Sequence, residues 1–535
     1  MPYDPLEWVD KPLTERARMV CQAWAAQGYG APPAVLVAYG LKVALYVGGW
    51  LFFCQFSPDL GAPNELGPSL CFGDWWLEPL AFQKAILFSM LFEGLGLGCG
   101  SGPLTGRYVP PVGGFLYWLR PGTTRLPVAG GTLRTWLDVG AYALLLGLLI
   151  RALISPGLTA TLIVPIVVLV PLIGLRDRTI FLALRAEHYW VMAVCFLLDD
   201  WIAGAQIVAL ALWFFAGFSK LNHHFPAVVC VMTSNSPFTR NSRLSRATYR
   251  DYPHDLRPSR LAEWMAHAGT VVELAIPIIL LLAPSGAWLI LALVLATGLH
   301  TFIASNVPAG VPLEWNVAVL YGAFALFYAH PDVRVWDVSP VLGLFVLTVS
   351  VALPILGNLF PSRVPFLLAM RYYAGNWPYS VWLFRGDSYR KLERLTTSAP
   401  WVYDQLAHVY ERGTSVGLVG KTMGFRMMHL QGRALPELIP RAVDRLQDYE
   451  YLEGEIVAGL VLGWNFGDGH LHQEALLASV QAQCGFEEGE LRCIFVEAQP
   501  LGRDHLAWRI HDAQSGLRDQ GRLSVTALRE RQPWG

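Results

Sequence analysis

The stretch Ala205–Pro226, AQIVALALWFFAGFSKLNHHFP, begins as an apolar helix and ends in Ser219, Lys220, Asn222, His223 and His224 with no turn residue between the two. A lysine at the end of a membrane helix has two uses. It can float its ammonium to the headgroups and anchor the helix, complementing the helix dipole. It can also sit in a protected cavity, where desolvation disfavours the ammonium and leaves a usable base. Lys220 alone leaves both open. Further polar side chains interrupt apolar runs elsewhere: Lys42, Glu93, Glu187, His188, Glu273 and His300. Each costs a few kcal/mol to insert unless it faces the bundle interior, so together they imply an internal polar cavity. Lys42 and Glu93 suit one another as a pair, whereas the histidines, mostly uncharged near neutral pH, need no counter-ion.

Other apparent motifs lack the context their chemistry needs. The glycines of Gly94–Gly102 end an apolar helix and do not follow a strand, so close helix packing explains them better than a dinucleotide fingerprint. Gly413–Gly417, GTSVG, has no buried strand before it to make a nucleophile elbow. Gly420–Thr422, GKT, has Ser415 where a phosphate loop places its first glycine, so nucleotide binding is not expected. Asp468, His470, His472 and Glu474 are tight enough to suggest metal, yet two histidines two apart share a face of a strand and not of a helix. A helix N-terminus is the reading preferred there, and no metal is expected.

These residues need a scaffold, and the composition specifies its class. Of 535 residues, 54% are hydrophobic and only 15% charged, the balance of a membrane protein. The formal net charge of -1 gives no footprint for nucleic acid. Cysteines 21, 54, 71, 99, 195, 230, 484 and 493 form no pairs or regular framework and read as small buried apolar groups. Residues 1–33 read as an interfacial amphipathic segment without a cleaved leader, resting Trp8, Met19, Val20 and Trp24 on headgroups. About ten spans follow within 34–360, near 34–54, 80–99, 135–153, 158–175, 180–198, 204–222, 263–282, 286–304, 313–329 and 340–360. Basic residues crowd alternate loops: Arg107, Arg120, Arg125 and Arg134; Arg176, Arg178 and Arg185; then six arginines from Arg240 to Arg260. The positive-inside rule therefore puts both termini in the cytoplasm. Residues 361–535 have no run of spanning length and read as a cytoplasmic α+β domain. Its expected helix is Leu471–Gln483, and its expected strands are Leu491–Glu497, His505–His511 and Arg522–Leu528. The fold class expected is an all-α polytopic bundle followed by this small soluble domain.

Four short matches in order resemble the vitamin K-dependent gamma-carboxylase superfamily and its bacterial relatives, the horizontally transferred transmembrane proteins. They are HYW at His188–Trp190, AGFSKLN at Ala216–Asn222, VVELAIPIILLL at Val271–Leu282 and LVLATGLHTFIASN at Leu293–Asn306. The resemblance spans roughly residues 180–306. It implies that Lys220 deprotonates a reduced naphthoquinone-type quinol and that His188 and His300 line the same cavity. It implies a membrane enzyme, carboxylase-like and oxygenating, in the inner membrane of a bacterium. Asn222–Phe225 and residues 361–535 depart from the animal enzymes, so the resemblance does not extend to carboxylating protein glutamates. The alternative from another class is a non-catalytic lipid-binding or transport-associated membrane protein. Either way the partners expected are the bilayer and a hydrophobic small molecule.

The geometry expected is one cavity with Lys220, His188 and His300 pointing into it, Lys220 and His300 at one membrane depth. Glu273 stands at its far side, Asn222 and His223 form its mouth, and Trp190, Trp213, Phe214 and Phe215 wall it.

Overall fold

The structure, a computed structural model, describes residues 4–60, 73–98, 114–283, 285–308, 312–466 and 474–535. Helix α1 (Leu13–Gln27) leads to the apolar helices α2 (Pro33–Cys54), α3 (Pro79–Gly94), α4 (Trp136–Leu153) and α5 (Ala160–Arg176). After a broken stretch come α6 (Trp201–Ser219), α7 (Phe225–Asn235) and a hairpin of β1 (Tyr249–Asp251) and β2 (Asp255–Pro258). The apolar part ends with α8 (Arg260–Leu282), α9 (Gly286–Ala304), α10 (Leu313–Tyr328) and α11 (Pro340–Leu359).

Six of these, α2, α4, α6, α8, α9 and α11, are long and apolar enough to cross a membrane. Ten spans are not confirmed: among the described residues α3 has 16 residues and α5 has 17, and α10 is also shorter than these six. The expected fifth span is broken into Arg178–Ala183, a π turn at Ala186–Trp190 and Val191–Cys195. Arg185 makes the break, holding a left-handed φ of 52° that a non-glycine residue adopts only under constraint. Helix α6 is the centre of the bundle, with 78% of its most apolar stretch buried against 11% for α2. Apolar α7 was not anticipated; Pro226 in its first turn starts a helix where the sequence reads as loop.

Beyond α11 the chain forms β3 (Tyr379–Arg385), α12 (Arg412–Met428), β4 (Tyr449–Glu453), α13 (Gly454–Leu462), α14 (Glu474–Cys484), β5 (Leu491–Val496), β6 (Leu506–Asp512) and β7 (Gly516–Leu523). The strands make one antiparallel sheet in the order β4-β3-β5-β6-β7. Strand β3, flanked by β4 and β5, is buried on both faces up to Arg385, so it shows no alternation to mark it in the sequence. The expected strand at Arg522–Leu528 is corrected: β7 ends at Leu523, and Ser524 accepts from the Ala527 amide to start a helix at Val525–Arg529. Ser415 and Gly420–Thr422 lie inside α12, where no elbow or phosphate loop can form. The cluster Asp468, His470 and His472 lies outside the described residues.

The N-terminal segment does not rest its rings on headgroups. Trp8, Val20 and Trp24 are buried, α1 packs along α12, and Trp8 donates from Nε1 to the Arg16 carbonyl at 2.9 Å. Gly420 and Gly424 permit this: a Cβ there would meet the Trp8 ring at 3.0 Å and Val20 at 2.9 Å. The charges counted for orientation are also partly spoken for, since Arg125 and Arg176 pair with Asp138 and Arg134 pairs with Asp177.

Lys421 is buried in the same interface, donating to the Gly28 carbonyl at 2.7 Å, and burial pushes its ammonium down from 10.5 to about 7. Its pKa is thus lower folded than unfolded, so the unfolded chain binds more protons between about pH 7 and 10.5. Stability contributed through this group therefore rises with pH across that window and is flat below it. Lys421→Met should abolish this rise, read as detergent-solubilised unfolding midpoints of variant and parent compared at pH 7 and pH 10. Parallel pH profiles for the two proteins would show that Lys421 stays charged when folded.

Candidate functional site

Helix α6 ends at Ser219, and Lys220 caps it with its side chain turned inward, 6% exposed. Gly217 makes room for its partner: a Cβ there would lie 2.9 Å from the Leu274 side chain of α8 and 3.4 Å from its backbone nitrogen, so Leu274 would have to shift. The approach sets Glu273 beside Lys220, and the ammonium donates to Glu273 Oε2 while lying 5.4 Å from the Phe225 ring centroid. Glu273 is therefore the lysine's direct partner and not a group across the cavity. A desolvated ion pair is held in place because neither member can lose the other without leaving a buried charge.

About two turns inward along α6, Trp213 Nε1 donates to His300 Nε2 at 3.1 Å, and His300 Nδ1 lies 2.7 Å from Asn316 Oδ1. Asn316 Nδ2 is committed to the Pro312 carbonyl at 2.8 Å, so its oxygen faces the imidazole and must accept. These bonds require a neutral ring carrying its proton on Nδ1, with both nitrogens occupied. His300 is thereby a fixed piece of wall joining α6, α9 and α10.

Lys220, Glu273, Trp213, His300 and Asn316 border a cavity of about 120 Å³. The bundle supplies only part of its wall. Phe366, Tyr372, Tyr373 and Trp377 come from the segment after α11, Phe425 and Arg426 from α12, Glu453 and Glu455 from the β4–α13 junction, and Arg185 from the helix break. Tyr373 holds a left-handed φ of 43°, so the segment is bent by its packing to present these rings. Arg426 bonds Glu453 at 2.6 Å and Glu455 at 2.5 Å, its guanidinium 5.5 Å from Trp377 and 5.8 Å from Phe425. His429, on the following turn, is held by burial at about 3 and bonds the Phe425 carbonyl through Nδ1 at 2.6 Å, so it is neutral. Burial and then Glu187 push the Tyr372 hydroxyl well above its ordinary range, leaving it a neutral donor.

The remaining expected members stand elsewhere. His188 borders a separate small void behind Trp315, with its ring 6.3 Å from that indole, because the π turn directs it toward α3 and α10. Trp190 bonds the Val167 carbonyl and packs on Phe181 and Phe345. Asn222 and His223 border a polar pocket on the far side of the α6 terminus with Arg503 and Asp504. Phe214 and Phe215 line a groove on the opposite face of α6. Lys42 lies 3.8 Å from Glu314, while Glu93 faces Arg185 at 3.7 Å, so the expected Lys42–Glu93 pair is exchanged for two others. Among the described residues no three histidine, cysteine or acidic side chains converge to hold a metal ion.

Residues 1–535, the whole chain, match the family described as "Transmembrane protein of unknown function (DUF3556)". The chain belongs to that family. No curated protein and no solved structure matches it, and the comparisons lend no support to the carboxylase resemblance. For this family member, the cavity residues missed by sequence reasoning are Arg185, Trp315 and Asn316 in the bundle and all those after residue 360. Arg426 carried the available signal, an arginine set among Phe425, Met427 and Met428 and followed at a distance by Glu453 and Glu455.

Proposed function

We propose that this chain is an integral membrane enzyme that takes a flat hydrophobic substrate with an acidic hydroxyl, such as a lipid quinol, into the aromatic cavity. The observation that carries the reading is the buried Lys220–Glu273 pair bordering open volume in a wall rich in aromatic rings. Lys220 passes its proton to Glu273 and takes the substrate's: the O–H bond breaks, Glu273 ends as a neutral carboxyl, and Lys220 ends as ammonium against the new oxyanion. In a dry site this attraction is far stronger than in water, and no dipole has to reorganise. Trp213 and Trp377 offer flat faces to the ring, and the Trp213–His300–Asn316 bonds keep the wall from collapsing. The basic loops orient both termini toward the cytoplasm of a bacterial inner membrane. A second reading, non-catalytic lipid binding or a transport-associated role, draws on a separate apolar groove of about 740 Å³ between α6, α8 and α11.

The test uses 2-methyl-1,4-naphthohydroquinone without oxygen. The purified protein should bind it with quenching of tryptophan emission, and the bound probe should absorb as its anion. Lys220→Arg keeps the cation but offers no accessible base, so its bound probe should stay neutral. Binding without ionisation in the parent supports the non-catalytic reading. Absence of quenching, or equal ionisation in the arginine variant, defeats the assignment of Lys220.

A further inference from the structure

We propose that a polar cluster buried beside the cavity, between α2, α3, α10 and the helix break at Arg185, stores one exchangeable proton inside the bundle at neutral pH and passes it to the cavity wall through Tyr372. Its charges do not balance. Glu93, Glu187 and Glu314 face two cations, Lys42 and Arg185, at separations of 3.7 to 4.0 Å. Three carboxylates against two cations leave one negative charge over among the described residues, in a place where an uncompensated charge is strongly disfavoured. A bound proton removes it.

Hydrogen bonding points the same way independently of the count. Both oxygens of Glu314, 1% exposed, accept no hydrogen bond among the described residues, and neither do Glu93 Oε1 and Glu187 Oε2. A carboxylate in this position wants two or three donors, whereas a protonated carboxyl wants an acceptor and tolerates fewer partners. The Tyr189 hydroxyl is fully buried within electrostatic reach of Glu93, Arg185 and Glu314, yet has no hydrogen-bond partner among the described residues. Nδ1 of His188, within electrostatic reach of Arg185, is likewise without one among the described residues. The remaining titratable neighbour, Tyr46, is committed to Ser89 Oγ at 2.6 Å. The carboxylates do not converge as metal ligands among the described residues, so a proton is the cation that fits.

Among the described residues, a hydrogen bond joins the cluster to the cavity wall. Tyr372 donates to Glu187 Oε1 at 3.1 Å, packs against Trp315 with ring centroids 4.8 Å apart and borders the cavity. For the handover the Tyr372 hydroxyl turns from Glu187 and gives its proton to the substrate oxyanion in the cavity, while its oxygen takes the proton that protonated Glu187 releases, which needs no oxidant or reductant. The storage stands apart from the reading of the cavity; only the handover rests on it.

Infrared difference spectroscopy of the purified protein tests both. The parent should show a protonated carboxyl stretch at neutral pH that shifts in D2O, with no substrate added. Glu314→Gln should remove it, and Glu93→Gln or Glu187→Gln should move or remove it, while Glu273→Gln should leave it. No such band in the parent, which requires no variant to fold, overturns the proposal. A band that survives all three substitutions, or that vanishes only in Glu273→Gln, overturns it as well. Tyr372→Phe should keep the band and slow its exchange into D2O severalfold; unchanged exchange overturns the handover alone, and leaves the hydroquinone result to be judged separately.

Discussion

Lys220→Ala should destabilise the folded protein by about 3–5 kcal/mol, because it strands the Glu273 carboxylate where water cannot reach it. The pair is 6% exposed on each side, so solvent screening does not soften the loss. Replacing both members with apolar residues of similar volume removes the stranded charge, so Lys220→Met combined with Glu273→Leu should return to within about 1–2 kcal/mol of the parent. The same double variant should lose ionisation of the bound naphthohydroquinone. Denaturant unfolding in detergent, run on the single variants and the pair, gives the coupling directly. If the single alanine substitution costs less than about 1 kcal/mol, as for a surface ion pair, then Lys220 reaches the headgroups and anchors its helix instead.

Gly28→Ala should cost about 3–5 kcal/mol, combining backbone strain with a clash that cannot relax. Gly28 ends α1 at a φ of 62°, and a Cβ there would stand 2.6 Å from the Cα of Asn235 and 2.8 Å from the Ser234 carbonyl oxygen. The turn also gathers three elements: the next amide, of Tyr29, donates to Asn235 Oδ1 at 2.9 Å, and the Gly28 carbonyl receives Lys421 of α12. Displacing it should loosen α12 and, with it, Arg426 at the cavity. Gly30 supplies the control. Its φ is 65°, yet its nearest foreign atom is a flexible Gln27 oxygen at 4.0 Å, so Gly30→Ala should cost only about 1 kcal/mol. Equal losses from the two substitutions, measured as unfolding midpoints, would mean that the α1–α7–α12 junction is not as tight as described.

The membrane class, the positions of the long apolar helices, and the standing of Lys220, Glu273 and His300 as out of place in such helices were legible from residue types alone. Insertion cost is a property of a side chain in its own segment, so a polar residue in an apolar run declares itself without knowledge of the fold. The strands β5 and β6 were legible for a similar reason, being short apolar runs bounded by turn residues. Partnership was not. Lys220 and Glu273 meet because Gly217 admits α8, Lys42 turns to Glu314 and away from Glu93, and His188 faces away from the cavity because Arg185 breaks its helix. Half the cavity wall lies beyond reach of any local pattern. Tyr372, Trp377 and Arg426 stand more than 150 residues from Lys220 in the chain and join it only when the sheet region closes on the bundle. Trp8, Val20 and Trp24 show the same limit from the other side, since an amphipathic face prescribes burial but does not say against what. Local composition determined which groups had to be hidden; tertiary packing, through close approaches that depend on residues far apart in sequence, decided which of them hide together.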